Sequence, residues 1–224
     1  MPDKANGDLH GQYLHVTISV PTSGSQKFVG YMKDLMPTFT GPVPPKGEIT
    51  GFAWDLTAAM TQEQGDVARF RHLWRMTDPG RPLLWEAMAQ LGTEDSYGDL
   101  DGLVDIEVQH IMHTDRDYSP RVAPEHAAKF YAHEFFELPR EPGYVTKYVW
   151  GMPGVANAAS EEVGWQLLLG LEAATGKLRR YANVWQVEEI DTKAIKKATA
   201  WLNQQEVYQK VSGQEVDAWT ALTY

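Results

Sequence analysis

The chain has 224 residues and a formal net charge of −10, with 43% hydrophobic and 22% charged residues, a balance typical of globular proteins. The acidic charge disfavours binding to nucleic acid or to anionic membranes, and no basic run or zinc-finger pattern is present. The lack of cysteine excludes disulfides, thiolate catalysis and cysteine-ligated metal sites, and it fits a reducing cytoplasm.

The first residues, 1–11, are polar and lack the apolar stretch of a signal peptide. The best candidate for a membrane span, Trp165–Leu171, is far shorter than the roughly 20 residues that a span needs. We therefore expect a cytoplasmic protein.

The first half of the chain has the pattern of alternating strands and helices. Apolar and polar residues alternate along Tyr13–Val20, which predicts a half-buried strand. A helix is predicted around Gln26–Phe39, because a run of Pro and Gly follows it. The further predicted elements are strands over Ile49–Ala59, Val67–Met76 and Val104–Thr114, and a helix that opens at Pro79.

The second half repeats this order. Asp191 is a good helix N-cap and precedes apolar residues at helical spacing. The segment 151–154, Gly-Met-Pro-Gly, has the composition of a turn. The predicted strands are His133–Leu138, Trp165–Ala173, Leu178–Glu188 and Val216–Tyr224.

The two halves align with each other, which indicates a tandem duplication. Around the third strand the offset is 111 residues, from Trp74 to Trp185, and it also pairs Tyr97 with Tyr208. At the first strand the offset is 118 residues, from His15 to His133.

Each half therefore has the order βαββαβ, which is that of the ferredoxin-like unit. Such a unit places two helices on one face of an antiparallel sheet and leaves the other face bare. Two fused copies could cover each other's bare faces. We predict an α+β protein of two tandem ferredoxin-like units, residues 1–118 and 119–224, that form a single-chain pseudo-dimeric α/β barrel.

This layout, with a Trp on the third strand and a Tyr before the last strand of each half, resembles the dimeric α/β-barrel superfamily. That superfamily includes NIPSNAP-like, EthD-like and antibiotic-biosynthesis-monooxygenase-like proteins. The resemblance implies a fold and not a reaction, since it hosts cofactor-free oxygenases, lyases, isomerases, cyclases and haem enzymes.

Histidines and carboxylates are the candidates for acid–base chemistry. His15 and His133 occupy the same strand position in the two halves, on a face that Glu137 shares with His133. At His72 the second half has Asn183, as expected for a single asymmetric site or for neutral drift. A buried histidine with one satisfied hydrogen bond is the structural alternative for each position. The predicted catalytic residues are His15, His72, His133, Glu137 and Asp55.

Aromatic side chains on the same strands could line an apolar pocket. Trp74 and Trp185 could equally be core residues, since both halves keep them. The predicted substrate-binding residues are Phe70, Trp74, Phe135, Tyr181 and Trp185.

No cofactor or metal is predicted. His110 and His113 point to opposite faces of one strand, and no other histidine or carboxylate spacing is that of a metal site. Because the resemblance includes haem enzymes, haem bound through His133 or His126 is the alternative.

The sequence thus predicts an enzyme that acts on a largely apolar, possibly aromatic metabolite by histidine and carboxylate chemistry. The reaction would be that of an isomerase, lyase, cyclase or cofactor-free oxygenase. The alternatives are a non-catalytic ligand-binding or assembly protein and a haem-binding protein of the same fold. We expect a small-molecule substrate, no nucleic-acid or membrane partner, and a homo-oligomer as one option.

Overall fold

The computed structural model describes residues 11–39, 54–76, 105–114, 118–120, 128–173 and 180–224, with the backbone alone at 35–39, 54–55, 76 and 105–114. It divides into two compact units. The N-terminal unit contains Gly11–His110 together with Leu222–Tyr224, and the C-terminal unit contains Ile111–Ala221. The predicted boundary between residues 118 and 119 stays a prediction.

The N-terminal unit has an antiparallel sheet in which β3 lies between β1 and β2. β2 continues to Gln64, beyond the predicted strand end at Ala59, and only Gly65 and Asp66 make the turn to β3. Gly65 has a φ of +60°, which glycine adopts without strain. The predicted helix at Pro79 lies outside the described residues. The elements are β1 (Gln12–Pro21), α1 (Ser25–Phe39), β2 (Trp54–Gln64), β3 (Val67–Met76) and β4 (Asp105–Thr114), whose end belongs to the C-terminal unit.

The C-terminal unit shows the complete βαββαβ order. Its antiparallel sheet runs β8-β5-β7-β6, and the end of β4 pairs with β6. The elements are β5 (Phe130–Glu137), α2 (Tyr144–Glu162), β6 (Gln166–Ala173), β7 (Arg180–Val187), α3 (Thr192–Asn203), a 3₁₀ turn (Glu206–Tyr208) and β8 (Ser212–Ala221). This is the predicted α+β, ferredoxin-like architecture.

Two local predictions for the C-terminal unit have different outcomes. The expected turn at 151–154 is wrong, because α2 runs through it with Pro153 inside the helix. Proline cannot donate a backbone hydrogen bond, but the buried side chains of Tyr148, Met152 and Val155 hold this helix against the sheet. The predicted N-cap is confirmed: Asp191 Oδ1 accepts hydrogen bonds from the backbone N–H groups of residues 193 and 194, at 2.8 and 3.0 Å.

The strand registers agree with the alignment of the two halves. Val16 lies opposite His72 in the N-terminal unit, and Glu134 lies opposite Asn183 in the C-terminal unit. The offsets of 118 and 111 residues match these two pairs to each other. The tandem pseudo-dimeric arrangement itself stays a proposal.

Ring contacts show which face of each sheet lies against a helix. Phe28 of α1 is 4.5 Å from Phe70 of β3, and Tyr148 of α2 is 5.3 Å from Phe136 of β5, measured between ring centroids. Since side chains alternate along a strand, His72 shares the helix-facing side with Phe70. We call the side chains on this side the helix-facing layer of each unit. Within the described part of the chain, no helix is long and apolar enough to cross a membrane.

Candidate functional site

The helix-facing layer of the C-terminal unit contains a buried carboxyl group. Glu134 lies in the middle of β5 and has no solvent-exposed surface. Its Oε2 accepts hydrogen bonds from Asn183 Nδ2 at 3.0 Å, Trp185 Nε1 at 3.1 Å and the Tyr208 hydroxyl at 3.0 Å. Its Oε1 accepts a hydrogen bond from Gln214 Nε2 at 2.7 Å. We call these five residues the carboxyl cluster.

The donors of the carboxyl cluster come from three parts of the fold. β7 pairs with β5 and brings Asn183 and Trp185, and β8 pairs with the other edge of β5 and brings Gln214. Tyr208 comes from the 3₁₀ turn after α3. The Tyr144 hydroxyl fixes this turn, because it donates to the carbonyl of Val207 at 2.9 Å and accepts from the N–H of residue 210 at 3.0 Å.

Aromatic rings surround the carboxyl cluster. The ring of Tyr148 lies 5.9 Å from Tyr208 and 5.3 Å from Phe136, and Phe136 is stacked on Tyr181 at 5.8 Å. Tyr118 contacts Tyr148 edge to face at 5.7 Å. The carboxyl group therefore lies in an aromatic, water-poor environment.

The segment 118–120 packs against this layer at Gly170. The hydroxyl of Ser119 donates to the carbonyl of Gly170 at 2.7 Å and accepts from its N–H at 2.9 Å. A Cβ atom at position 170 would overlap the ring of Tyr118. Glycine is needed here because the ring lies directly on the strand.

Burial shifts the pKa values of the cluster toward the neutral forms. Burial raises the pKa of Glu134, and the hydrogen bonds from its four donors oppose this in part. Burial also raises the phenol pKa values of Tyr148 and Tyr208 well above their ordinary value, and nearby phenol and carboxyl groups add to this. Both phenols stay neutral, and the carboxylate is a stronger base than an exposed glutamate.

Asn183 links the carboxyl to the two phenols. Its Nδ2 lies 3.0 Å from Glu134 Oε2, from the Tyr148 hydroxyl and from the Tyr208 hydroxyl. An amide has two N–H groups, so these three oxygens compete for two hydrogens. The Oδ1 atom of Asn183 is buried and has no partner among the described residues. This oxygen could accept a hydrogen bond from a bound molecule.

The N-terminal unit has a histidine in the corresponding place. His72 is fully buried, and its Nε2 is hydrogen-bonded to the Tyr224 hydroxyl at 2.5 Å. Its ring stacks on Phe28 at 6.2 Å and meets the edge of Trp74 at 5.8 Å. Burial lowers the pKa of His72 to about 3, so the imidazole is neutral near pH 7.

The predicted catalytic residues lie at different places in the fold. His72 is in a helix-facing layer, whereas His15 and His133 are fully buried on the opposite faces of their sheets. Glu137 ends β5, where the pairing with β8 shifts register, and it is exposed. Its predicted catalytic role stays a prediction. The side chain of Asp55 lies outside the described residues.

The predicted substrate-binding residues are also distributed. Tyr181 and Trp185 belong to the helix-facing layer of the C-terminal unit, and Trp185 donates to the buried carboxyl. Phe135 lies on the opposite face, stacked on His133 at 4.4 Å. Phe70 and Trp74 belong to the helix-facing layer of the N-terminal unit.

The sequence prediction missed the central residue of the carboxyl cluster. One signal could have found it: Glu134 aligns with the apolar Val16 and interrupts the apolar positions Ala132 and Phe136 of its strand. A charged residue on the apolar face of a strand is buried with partners or is functional. Among the described residues, no group of three or more histidines or carboxylates could hold a metal ion.

Comparison with known proteins gives the fold. No protein-family model and no curated protein sequence matches the chain. A predicted monooxygenase of Fusobacterium nucleatum is similar in structure, with a TM-score of 0.57 and 8% identity over 96% of this chain and 94% of the other. A mutant chlorite dismutase of Candidatus Nitrospira defluvii has a TM-score of 0.61 and 10% identity, over 96% of this chain and 92% of the other. An anthrone oxidase-like protein has a TM-score of 0.54 and 10% identity, over 94% of this chain and 92% of the other.

These similarities agree with the ferredoxin-like architecture over nearly the whole chain. At such low identity they concern the fold and not the reaction. The NIPSNAP-like and EthD-like resemblance stays a prediction.

Proposed function

We propose that the protein is an enzyme of the oxidase or oxygenase type that acts on a small, largely apolar and aromatic molecule, with Glu134 as its acid–base group. One observation carries this proposal. A carboxyl group with no exposed surface lies beneath an aromatic layer and is held by four hydrogen-bond donors. Perturbed carboxyl groups in such surroundings are typical of catalytic sites.

The proposed chemistry begins with proton transfer. The Glu134 carboxylate takes a proton from an acidic C–H or O–H group of the substrate, and its raised pKa makes this transfer easier. The neutral phenol of Tyr148 can donate a hydrogen bond to the oxygen on which negative charge develops, whereas the Tyr208 hydroxyl donates to Glu134 itself. The resulting anion is electron-rich, which suits reaction with molecular oxygen as well as isomerisation or elimination.

Gln214 lies between the carboxyl group and solvent. Its amide covers Oε1 of Glu134, and it is only half-buried. It follows the exposed residues Ser212 and Gly213 at the start of β8. A substrate that approaches Oε1 would therefore displace the Gln214 side chain.

The test of this proposal is the substitution Glu134→Gln. Glutamine has the same shape and can keep the three donors on one oxygen, while Gln214 can turn its carbonyl to the new amide. We expect oxygen consumption and product formation with a panel of phenols and aromatic ketones to fall by about 10²–10⁴-fold.

The matched control is Glu162→Gln, because Glu162 is an exposed glutamate at the end of α2 in the same unit. It should keep full activity. The proposal is wrong if Glu134→Gln turns over these substrates at the rate of the unaltered protein.

The predicted catalytic roles of His15, His72 and His133 are tested in the same assay. Alanine at a histidine that transfers a proton should remove turnover while circular dichroism stays unchanged. Full activity in all three variants would contradict the predicted histidine set and leave Glu134 as the acid–base group.

A ligand-binding or assembly protein without chemistry is the second candidate. The observation that favours it is that both oxygens of Glu134 already have partners, as in a purely structural polar network. Binding of an aromatic ligand without turnover, unaffected by Glu134→Gln, would support this candidate.

A haem-binding protein remains the third candidate. The surroundings of His133 give it little support, since this side chain is fully buried and stacked on Phe135, and His126 lies outside the described residues. A haem absorbance band in protein purified from its own host would decide in its favour.

A further inference from the structure

Two short segments dock at corresponding positions of the two units. Segment 118–120 follows β4 and binds Gly170 of β6 through Ser119. Segment 222–224 follows β8, and the N–H of Leu222 donates to the carbonyl of Ala59 in β2 at 2.9 Å. Gly170 lies opposite Asn183, and Ala59 lies opposite His72. Each segment therefore brings a tyrosine, Tyr118 or Tyr224, to the equivalent part of a helix-facing layer.

The two segments differ in how firmly they are held. Tyr118 is 4% exposed and lies on a glycine that leaves room for its ring. Tyr224 is only half-buried and follows the exposed Thr223. The residue beneath segment 222–224 is Ala59, so the N-terminal unit lacks the glycine on which Tyr118 lies. Segment 222–224 is thus the more exposed of the two.

The contacts of Tyr224 are those of a bound phenol. Its hydroxyl is hydrogen-bonded to His72 Nε2, and its ring meets the imidazole edge to face at 5.4 Å. Phe28 and Trp74 contact the same imidazole. The Nδ1 atom of His72 is buried and has no partner among the described residues, so a second polar group could also bind there.

We propose that Tyr224 occupies a phenol-binding site at His72 and that an external phenol competes with it for this site. The side chain acts as a tethered ligand. Opening of segment 222–224 exposes the imidazole and the neighbouring aromatic rings to a molecule of the same chemistry. This site uses none of the residues of the carboxyl cluster, so it does not depend on the proposed role of Glu134.

The experiment is a ¹⁹F NMR titration of the full chain with 4-fluorophenol, and with fluorobenzene as the matched probe that lacks the hydroxyl. We expect the unaltered protein to bind 4-fluorophenol in preference to fluorobenzene. Tyr224→Ala should bind 4-fluorophenol about 10-fold more tightly, because the probe no longer competes with the tethered phenol.

Two further variants test the chemistry of the site. Tyr224→Ala combined with His72→Phe should bind both probes equally, since the hydrogen-bond partner of the phenol is gone. If Tyr224→Ala does not fold, Tyr224→Phe replaces it and should bind 4-fluorophenol a few-fold more tightly than the unaltered protein, because the competing ring has lost its hydrogen bond. The proposal fails if the unaltered protein does not bind 4-fluorophenol, or if the preference for the hydroxyl survives the loss of His72.

Discussion

The helix-facing layers of the two units share one strand register and differ in their polar groups. The C-terminal layer holds a carboxyl group with four donors, whereas the N-terminal layer holds an imidazole with a phenol. The corresponding residues are Val16, His72 and Trp74 in one unit and Glu134, Asn183 and Trp185 in the other. The same backbone accepts either set because the central polar group of each layer has hydrogen-bond partners.

Burial shifts the pKa values of the central polar groups of the two layers in opposite directions, each toward the neutral form of the group. It raises the pKa of Glu134 and lowers that of His72 to about 3. In both layers burial opposes the charged form, as expected where water is excluded. The two units are therefore expected to respond to acid in opposite ways.

The largest expected effect comes from removing the carboxyl group. Glu134→Ala leaves four donors without their acceptor in a buried layer, and we expect a loss of about 4 kcal/mol in the free energy of unfolding. Val16→Ala removes only two methyl groups at the matching position and should cost about 2 kcal/mol. Urea denaturation of both variants measures the difference. Equal losses would mean that the hydrogen bonds of Glu134 contribute nothing beyond packing.

The next effect is the pH dependence from His72. Its pKa is about 3 in the folded protein and 6.5 in the unfolded chain, so the unfolded chain binds the proton first as the pH falls. Stability should decrease by about 1.4 kcal/mol per pH unit below 6.5 because of this group.

His72→Asn places the residue of the C-terminal layer in the N-terminal one and should remove this pH dependence. Urea denaturation of both proteins at pH 7 and pH 5 separates His72 from all other groups, because these are common to both. Parallel pH profiles for the two proteins would show that His72 does not titrate as its burial implies.

The smallest effect concerns the position beneath the docked tyrosines. Gly170→Ala copies Ala59 into the C-terminal unit and forces the ring of Tyr118 to move, at a cost of about 1–3 kcal/mol. The control is Gly154→Ala in α2, where a Cβ atom meets nothing and should stabilise the helix by about 0.5–1 kcal/mol. Thermal unfolding of both variants is the measurement. An unchanged melting temperature in Gly170→Ala would mean that the Tyr118 ring is not held on the strand.

Much of the fold could be predicted from periodicity. Alternation of apolar residues predicted β1, the match between the halves predicted the βαββαβ order seen in the C-terminal unit, and the Asp191 cap predicted the start of α3. The predicted turn at 151–154 failed because composition alone does not show that one face of α2 is buried along its whole length. Tertiary packing overrides the local preference of Gly and Pro there.

The candidate site was harder to predict. The predicted site was built on histidines because imidazole titrates near neutral pH. His15 and His133, however, lie on the faces of their sheets opposite the helix-facing layers. Tyr148, Tyr208 and Gln214 come from a helix, a turn and a strand that only the folded chain brings together. Glu134 was the exception, since its mismatch with Val16 was visible in the alignment.

The two docked tyrosines have a consequence for the history of the chain. Tyr118 follows the last strand of the first repeat and belongs to the C-terminal unit, and Tyr224 follows the last strand of the second repeat and belongs to the N-terminal unit. Neither repeat supplies the tyrosine docked on its own layer. If the chain is the tandem duplication that its sequence predicts, this exchange is the relation that fusion of the two genes of a domain-swapped homodimer would leave. Fragments of the two repeats should accordingly complement each other when mixed.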